Sequence, residues 1–315
     1  MKRKEIDLSR VRTYPLASRK SKVGLQALGR PLRPGATVSD LIEGLPDVLA
    51  ARDLRGAAAE LARRHRDGRP IVLGMGAHPI KVGLSPLLVD LLERRLLAAI
   101  AMNGAGIIHD YELALAGHTS EEVAEQLADG SFGMSEDTGR FLNEAAREGA
   151  AAGIGLGEAV GRKLLGAKPP HVSLSILAAA VRLDVPVTVH VAIGTDIVHM
   201  HPAADGAAIG ATSLRDFRIL SELVAGLDGG AFLNLGSAVI VPEVFLKALN
   251  LARNTGHTVK DLLTIDMDFN RHYRPLVNVV TRPTLEGGRG IHLTGHHEIM
   301  FPLLWAAVQA ELDRS

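Results

Sequence analysis

Short apolar runs that end at a glycine turn and give way to a helix recur along this chain, and that alternation limits the folds open to it. Residues 71–73 form the first such run and lead into "GMGAHPIKVG". Ser85 and Pro86 then start a helix, serine as N-cap and proline as its first residue. The apolar positions that follow, Leu88, Leu91, Leu92 and Leu96, fall on one helical face. A second run, residues 98–102, ends at "NGAG". Thr119 and Glu122 have the spacing of a capping box opening another helix. "VPVTVHVAI" reads as a strand, residues 214–225 as a helix, "AFLNL" as a strand, and "GSAVIVPEVFLKALNLARN" as a glycine turn and helix. Upstream, residues 54–66 have amphipathic spacing, and Gly68 and Pro70 deliver the chain to the first strand. The pattern predicts an α/β fold: a mainly parallel sheet with helices on both faces.

In such a sheet, ligands bind beyond the carboxyl ends of the strands. The loops "GMGAHPIKVGL", "NGAGIIHDYE", "GTDIVHMHP" and "LGSAVIVPE" all leave those ends. Residues 1–50 are basic and punctuated by proline and glycine, which predicts an arm and one short helix. Residues 51–315 show no linker and read as one domain. Composition narrows the function. Net charge is zero and aromatic residues make up 3%, which argues against nucleic acid and anionic membrane as partners. There are no cysteines, so disulfides, thiolate zinc sites and cysteine nucleophiles are excluded. The N-terminus "MKRKEIDLSR" lacks the apolar core of a signal peptide. The most apolar helical stretch, residues 87–102, is broken by Asp90, Glu93, Arg94 and Arg95. The expected location is the cytoplasm, and the expected partner is a small-molecule substrate.

Three constellations carry chemistry. "GMGAHPIKVG" is neither a dinucleotide fingerprint, since Pro79 follows His78 where glycine is expected, nor a P-loop. Backbone amides near Gly83 and the helix start could still hold an anion, and Lys81 could neutralise a pyrophosphate. A tight structural turn with a solvated lysine is the competing reading. The histidines cluster next, in "HVAIGTDIVHMHP" and "TGHHEIM". His199 and His201 have the alternation that puts two rings on one face, a spacing that metal sites share with rings bonding a cofactor. The third is "DMDFNRHYRP", beginning at Asp266, which reads either as a fixed polar site or as a solvated loop.

In order, these loops resemble those of deoxyhypusine synthase and its bacterial relatives. The likeness runs from about Asp67 to the C-terminus. It is carried by "LGMGAHPIKVGLSPLLVDLLE", "AMNGAGIIHD", "VPVTVHVAIGTDIVHMHP", "LNLGSAVIVPEVFLKALN" and "HEIMFPLLWAAV". The resemblance implies a Rossmann-like fold, NAD as cofactor and a homotetramer. It also implies a reaction in which NAD oxidises a polyamine and an aminobutyl group moves through an imine on an active-site lysine. By position it assigns cofactor contacts to Ala77, His78, Gly83, Asn103, Gly104, His109, Asp110, Thr195, Asp196, Gly236, Ser237, His296 and His297, with Asp266 beside them. Catalytic or substrate roles fall on His201, His199, Lys81 and Glu243.

The departures matter as much. The family's catalytic lysine lies in a late "WGK" motif, and this chain has no lysine after Lys260. Without a primary amine there, the imine step has no nucleophile, and arginine cannot replace it. His201 stands where the family has an amine-binding aspartate. The expectation is therefore an NAD-dependent enzyme acting with changed chemistry on a small polyamine, amine or alcohol. The alternatives are a non-catalytic NAD-binding sensor or scaffold, and a metal-dependent hydrolase using His199, His201 and Asp196.

Overall fold

Six strands form the sheet in this computed structural model, which describes residues 3–314; Met1 and Lys2 of the charged N-terminal stretch, and Ser315, lie outside the described residues. They are β1 (Ile71–Met75), β2 (Ala99–Asn103), β3 (Val187–His190), β4 (Ala231–Leu235), β5 (Leu263–Asp268) and β6 (Arg289–Thr294). All pair in parallel, in the order β3-β2-β1-β4-β5-β6. Helices α1 (Val38–Gly44) and α2 (Leu49–Arg66) precede β1. The helical turn α3 (His78–Lys81) and α4 (Ser85–Glu93) join β1 to β2. Between β2 and β3 lie α5 (Gly104–Ala116), α6 (Val123–Gln126), α7 (Glu136–Ala152), α8 (Leu156–Ala167) and α9 (Ile176–Arg182). Helix α10 (Gly206–Ala225) leads from β3 to β4, and α11 (Ile240–Asn254) from β4 to β5. A single turn, α12 (Tyr273–Pro275), runs into a π-helical turn (Leu276–Thr281) before β6, and α13 (His297–Asp313) follows it.

Every residue of β1, β4 and β5 is buried. This is what a parallel sheet covered on both faces requires. Strand alternation divides the apolar residues between two cores. Leu73, Met75, Met102, Leu235 and Ile265 pack with Leu61 of α2, Leu92 of α4 and Phe301 of α13. Val72, Ala101 and Phe232 pack on the other face with Leu220 of α10 and Phe245 of α11. The Phe232 and Phe245 rings stack at 3.8 Å. The chain leaves β1 for helices of the first core and β4 for a helix of the second. The two connections diverge, and a crevice opens between them at the strand ends, the place where this sheet order binds ligands.

The α/β prediction holds, with differences that have local causes. Strand β3 stops at His190 because Val191 and Ala192, although apolar, line a cavity instead of continuing the ladder. Helix α10 starts at Gly206, earlier than its apolar pattern, because Asp205 caps the amides of Ala207 and Ala208. The Thr119–Glu122 capping box does not form; the Thr119 hydroxyl donates to Glu112 instead. Asp266 and Asp268 belong to β5 and are buried rather than lying in a solvated loop. Strand β6 had no counterpart in the apolar pattern, since Arg289, Gly290 and His292 interrupt it.

Asp216 of α10 is fully buried and ties that helix to the sheet. Its Oδ2 accepts the amides of Gly157 (3.0 Å) and Val189 (2.8 Å). Burial pushes its carboxyl up to about 7, against those hydrogen bonds. The folded chain therefore keeps a proton that the unfolded chain releases, and this group alone lowers stability as pH rises from about 4 to about 7. Asp216→Ala leaves two buried amides unpaired. It is expected to cost about 3 kcal/mol in denaturant unfolding near pH 4, where the carboxyl keeps its proton, and less as pH rises to 7. A cost below about 1 kcal/mol would refute this role.

Candidate functional site at the strand ends

The centre of the crevice is a seam between two glycine loops. Gly76 donates to Leu235 O (2.9 Å) and Gly236 donates to Met267 O (3.0 Å). A Cβ on Gly76 would lie 2.3 Å from Gly236 O, so only glycine permits this approach. Gly236 has φ +66°, and a Cβ there would meet the His297 ring at 2.6 Å. Ser237 Oγ accepts the Val241 amide (3.2 Å), a hydrogen bond in the first turn of α11. On the β1 side, Ala77 leads into α3, which presents His78 and Lys81. Gly83 follows with φ +83° and open space around it.

Aromatic and imidazole rings border the seam towards β5 and β6. The centroids of His78 and His297 are 5.3 Å apart, and those of His78 and Phe269 5.5 Å. Phe269 lies 5.5 Å from His297 and 6.3 Å from the exposed His296. His297, at the start of α13, is buried; no side chain bonds either ring nitrogen at full hydrogen-bond geometry, and the Met267 backbone acts on the ring only as a weak acceptor. The nearest carboxylate oxygen, Asp268 Oδ1, is 3.7 Å from Nε2. Burial lowers the pKa of this imidazole, which Asp268 opposes and His78 reinforces. A buried ring with unmet polar atoms is uncommon in a fold, and here it lies directly beneath the glycine seam.

A cavity of about 400 Å³ lies between the segment after β3, helix α10 and the start of α11. Val191, Ala192, Ile193, Phe217, Val239 and Ile240 give it apolar walls. His190 also lines it, bonded to Thr188 Oγ1 (3.0 Å), and burial drives its pKa down to about 3. Glu243 stands at the same cavity. It accepts from Lys247, from Arg274 (3.1 Å) and from Asn278 (2.9 Å), and its carboxyl is held low, chiefly by Lys247. So held, Glu243 is an anchored anion and a poor proton acceptor.

The structure sorts the other sequence-predicted residues into separate places. Asn103, Gly104, Thr195, Asp196 and His199 form one cluster. Asn103 caps α5 through the Gly106 amide (3.2 Å), and the Asp196 carboxylate lies against Gly104 at the N-terminus of that helix. The Asp196 carboxyl is raised, chiefly by burial. His199 Nδ1 accepts the amides of Gly194 (3.1 Å) and Asp196 (3.3 Å). His109 faces Thr119 Oγ1 (2.7 Å), and its pKa falls to about 4 through burial, with the charge of Lys81 adding to the effect.

Three further residues are engaged by partners within the protein. Asp110 caps α9 from below: it accepts Ser175 Oγ and the Ile176 amide (2.7 Å), which commits it to the fold, and burial raises it to about 6. His201 lies against Gly139 of α7. Its Nδ1 accepts the Ala203 amide (3.1 Å) and its Nε2 faces Glu136 (3.1 Å), so neither nitrogen is open to a substrate. Asp266 is inside the sheet, bonded to Asn234 Nδ2 (2.7 Å) and His292 Nδ1 (2.8 Å). Among the described residues, no three His, Cys, Asp or Glu side chains are placed to hold a metal ion together. Among the described residues, no helix is long and apolar enough to cross a membrane.

Sequence reading missed two features. His292 bonds Asp266 on one side and Thr294 Oγ1 (2.9 Å) on the other. The alternation His292-x-Thr294 was the available signal, but it becomes legible only once β6 is known to pair with β5. Phe269 follows Asp268 directly, and nothing in its spacing marks it as a ring over the crevice.

No protein-family model matches the chain, and no curated protein does. Solved structures do. AgrE, seen in a ternary complex with ornithine and NAD+, is 15% identical with a TM-score of 0.54; the match covers 85% of this chain and 35% of AgrE. ArgZ, an arginine dihydrolase of the ornithine-ammonia cycle in Cyanobacteria, is 21% identical with a TM-score of 0.52, covering 81% of this chain and 31% of ArgZ. A protein of Entamoeba histolytica assigned as a deoxyhypusine synthase is 12% identical with a TM-score of 0.53, covering 90% and 96%. This chain thus spans about a third of the length of ArgZ and AgrE. At these identities the matches establish a shared fold.

Gly76→Ala forces a methyl group into the opposing backbone. It is expected to destabilise the chain by about 2 kcal/mol or more, read as a lowered melting temperature. An unchanged melting temperature would show that the seam is not closely packed.

Proposed function

We propose that the chain binds NAD along the strand-end crevice and uses it to oxidise a small amine or alcohol. The observation that carries this reading is His297, buried and without a side-chain partner beside the glycine seam of a sheet ordered β3-β2-β1-β4-β5-β6. The residues present fit the cofactor. The apolar cavity after β3 suits an adenine. The seam at Gly76 and Gly236, with Lys81 and the open backbone at Gly83, suits a pyrophosphate. The rings of His78 and Phe269 suit the nicotinamide end. One solved neighbour carries NAD+ together with ornithine, which supports the cofactor class.

Bound NAD+ supplies a hydride acceptor. The protein's part is to take the proton. His297, neutral at pH 7, accepts it from the substrate's N–H or O–H as the carbon loses hydride. Asp268, 3.7 Å away, stabilises the imidazolium that forms. Loss of hydride to bound NAD+ would leave the substrate as a carbonyl or imine, with its proton held at His297. No lysine stands where the family forms its enzyme imine, so transfer through that adduct is not part of this reading.

The test follows reduced nicotinamide by absorbance while NAD+ and a panel of primary amines and alcohols are supplied. Substrate-dependent reduction is expected. His297→Asn should lower kcat about 100-fold or more while leaving NAD+ affinity within about twofold. The rate should hold as pH falls through 6.5, the ordinary imidazole value, and drop only at lower pH, because burial depresses the pKa of His297 and protonating it removes the base. NAD+ binding without reduction of any member of the panel would overturn the enzymatic reading and favour a sensor or scaffold.

A further inference from the structure

The N-terminal arm exposes what a folded chain normally buries. Residues 3–35 form only three short 3-10 turns (Leu8–Arg10, Leu16–Ser18 and Leu25–Ala27). Ile6, Leu8, Tyr14, Leu16 and Leu25 are each at least two-thirds exposed. Residues 1–35 contain ten lysines and arginines against two acidic residues, a net charge of +8. The whole chain is neutral, so residues 36–315 carry −8. The first cation along the described arm to form an ion pair is Arg30, with Glu43. An apolar, cationic segment of this length held in water is unfavourable unless something covers it.

A surface of matching chemistry lies on the body of the molecule. Residues 112–137 contain seven acidic residues and no lysine or arginine. They enclose a cleft of about 470 Å³ lined by Glu112, Leu115, Glu121, Met134 and Asp137. Leu127 (67% exposed) and Met134 (52%) give this surface an apolar character of its own. Among the described residues, Glu121, Glu122, Glu125, Asp129 and Asp137 form no ion pair with the arm or with any other cation. Both surfaces combine exposed apolar side chains with unpaired charge, and their charges are opposite.

We infer that the arm of one copy docks on the acidic, apolar cleft at residues 112–137 of a second copy. Apolar burial supplies the affinity, and the opposite charges supply the register and the choice of partner. This inference is independent of the cofactor reading and stands or falls separately.

The test is the mass of the full chain by light scattering, at low and high salt. A mass above that of the monomer is expected, falling as salt screens the contact. Reversing the arm (Arg10→Glu with Arg12→Glu) or the cleft (Glu122→Lys with Glu125→Lys) should weaken association about tenfold or more. Mixing the two singly reversed proteins should restore association in part, because the intact arm of one meets the intact cleft of the other. These are exposed positions, so folding is preserved and checked by circular dichroism. A monomeric wild-type chain would overturn the inference. So would a mass indifferent to both reversals, or an arm whose reversal alters only nucleic-acid binding.

Discussion

The seam between Gly76 and Gly236 is the contact on which the site depends. There the backbones after β1 and β4 approach so closely that a single methyl group would collide with the opposing carbonyl. Beyond it the two connections part to opposite faces of the sheet, and the crevice exists because they part. The same close approach brings the His297 ring against Gly236. One steric constraint, met by two glycines, sets the floor of the site and the position of its most unusual side chain.

The interior has a polar side that balances this. On the face covered by α10 and α11, the strands towards β6 carry Asn234, Asp266 and His292 in register across three strands. Asp266 accepts from Asn234 and pairs with His292, so a carboxylate buried in a sheet has partners on both sides. The arrangement holds the last two strands in one register, since a shift by one residue would leave these polar groups unpaired in the core. Asp268 lies two residues further along the same strand, at the rim, where it faces His297. The polar stripe therefore leads from a structural network to the proposed proton acceptor.

Much of the sheet was legible because parallel strands buried on both faces read as short apolar runs, as residues 71–73 and "AFLNL" do. Strand β6 was not legible because an edge strand has one partner and tolerates Arg289 and an exposed Thr294. The glycine loops lie at the strand ends, where their pattern placed them. The histidines did not sort themselves by sequence. His199, His201 and His297 look alike in the chain, yet backbone amides or Glu136 engage the first two and leave the third without a full hydrogen bond. Asp110 shows the same limit: a carboxylate two turns into a helix reads as a ligand contact until the helix that it caps is seen. Partners distant in sequence decide these roles, and local pattern carries no trace of them.

The central claim is that the crevice holds NAD, and calorimetric titration of NAD+ into the cofactor-stripped protein tests it most directly, with Ala192→Trp as control because that side chain would fill the apolar cavity after β3. The account predicts one NAD+ bound per wild-type chain and none, or far weaker binding, in the variant. Absence of binding to the wild-type chain would contradict it. Equal binding by both proteins would remove the cavity from the cofactor site.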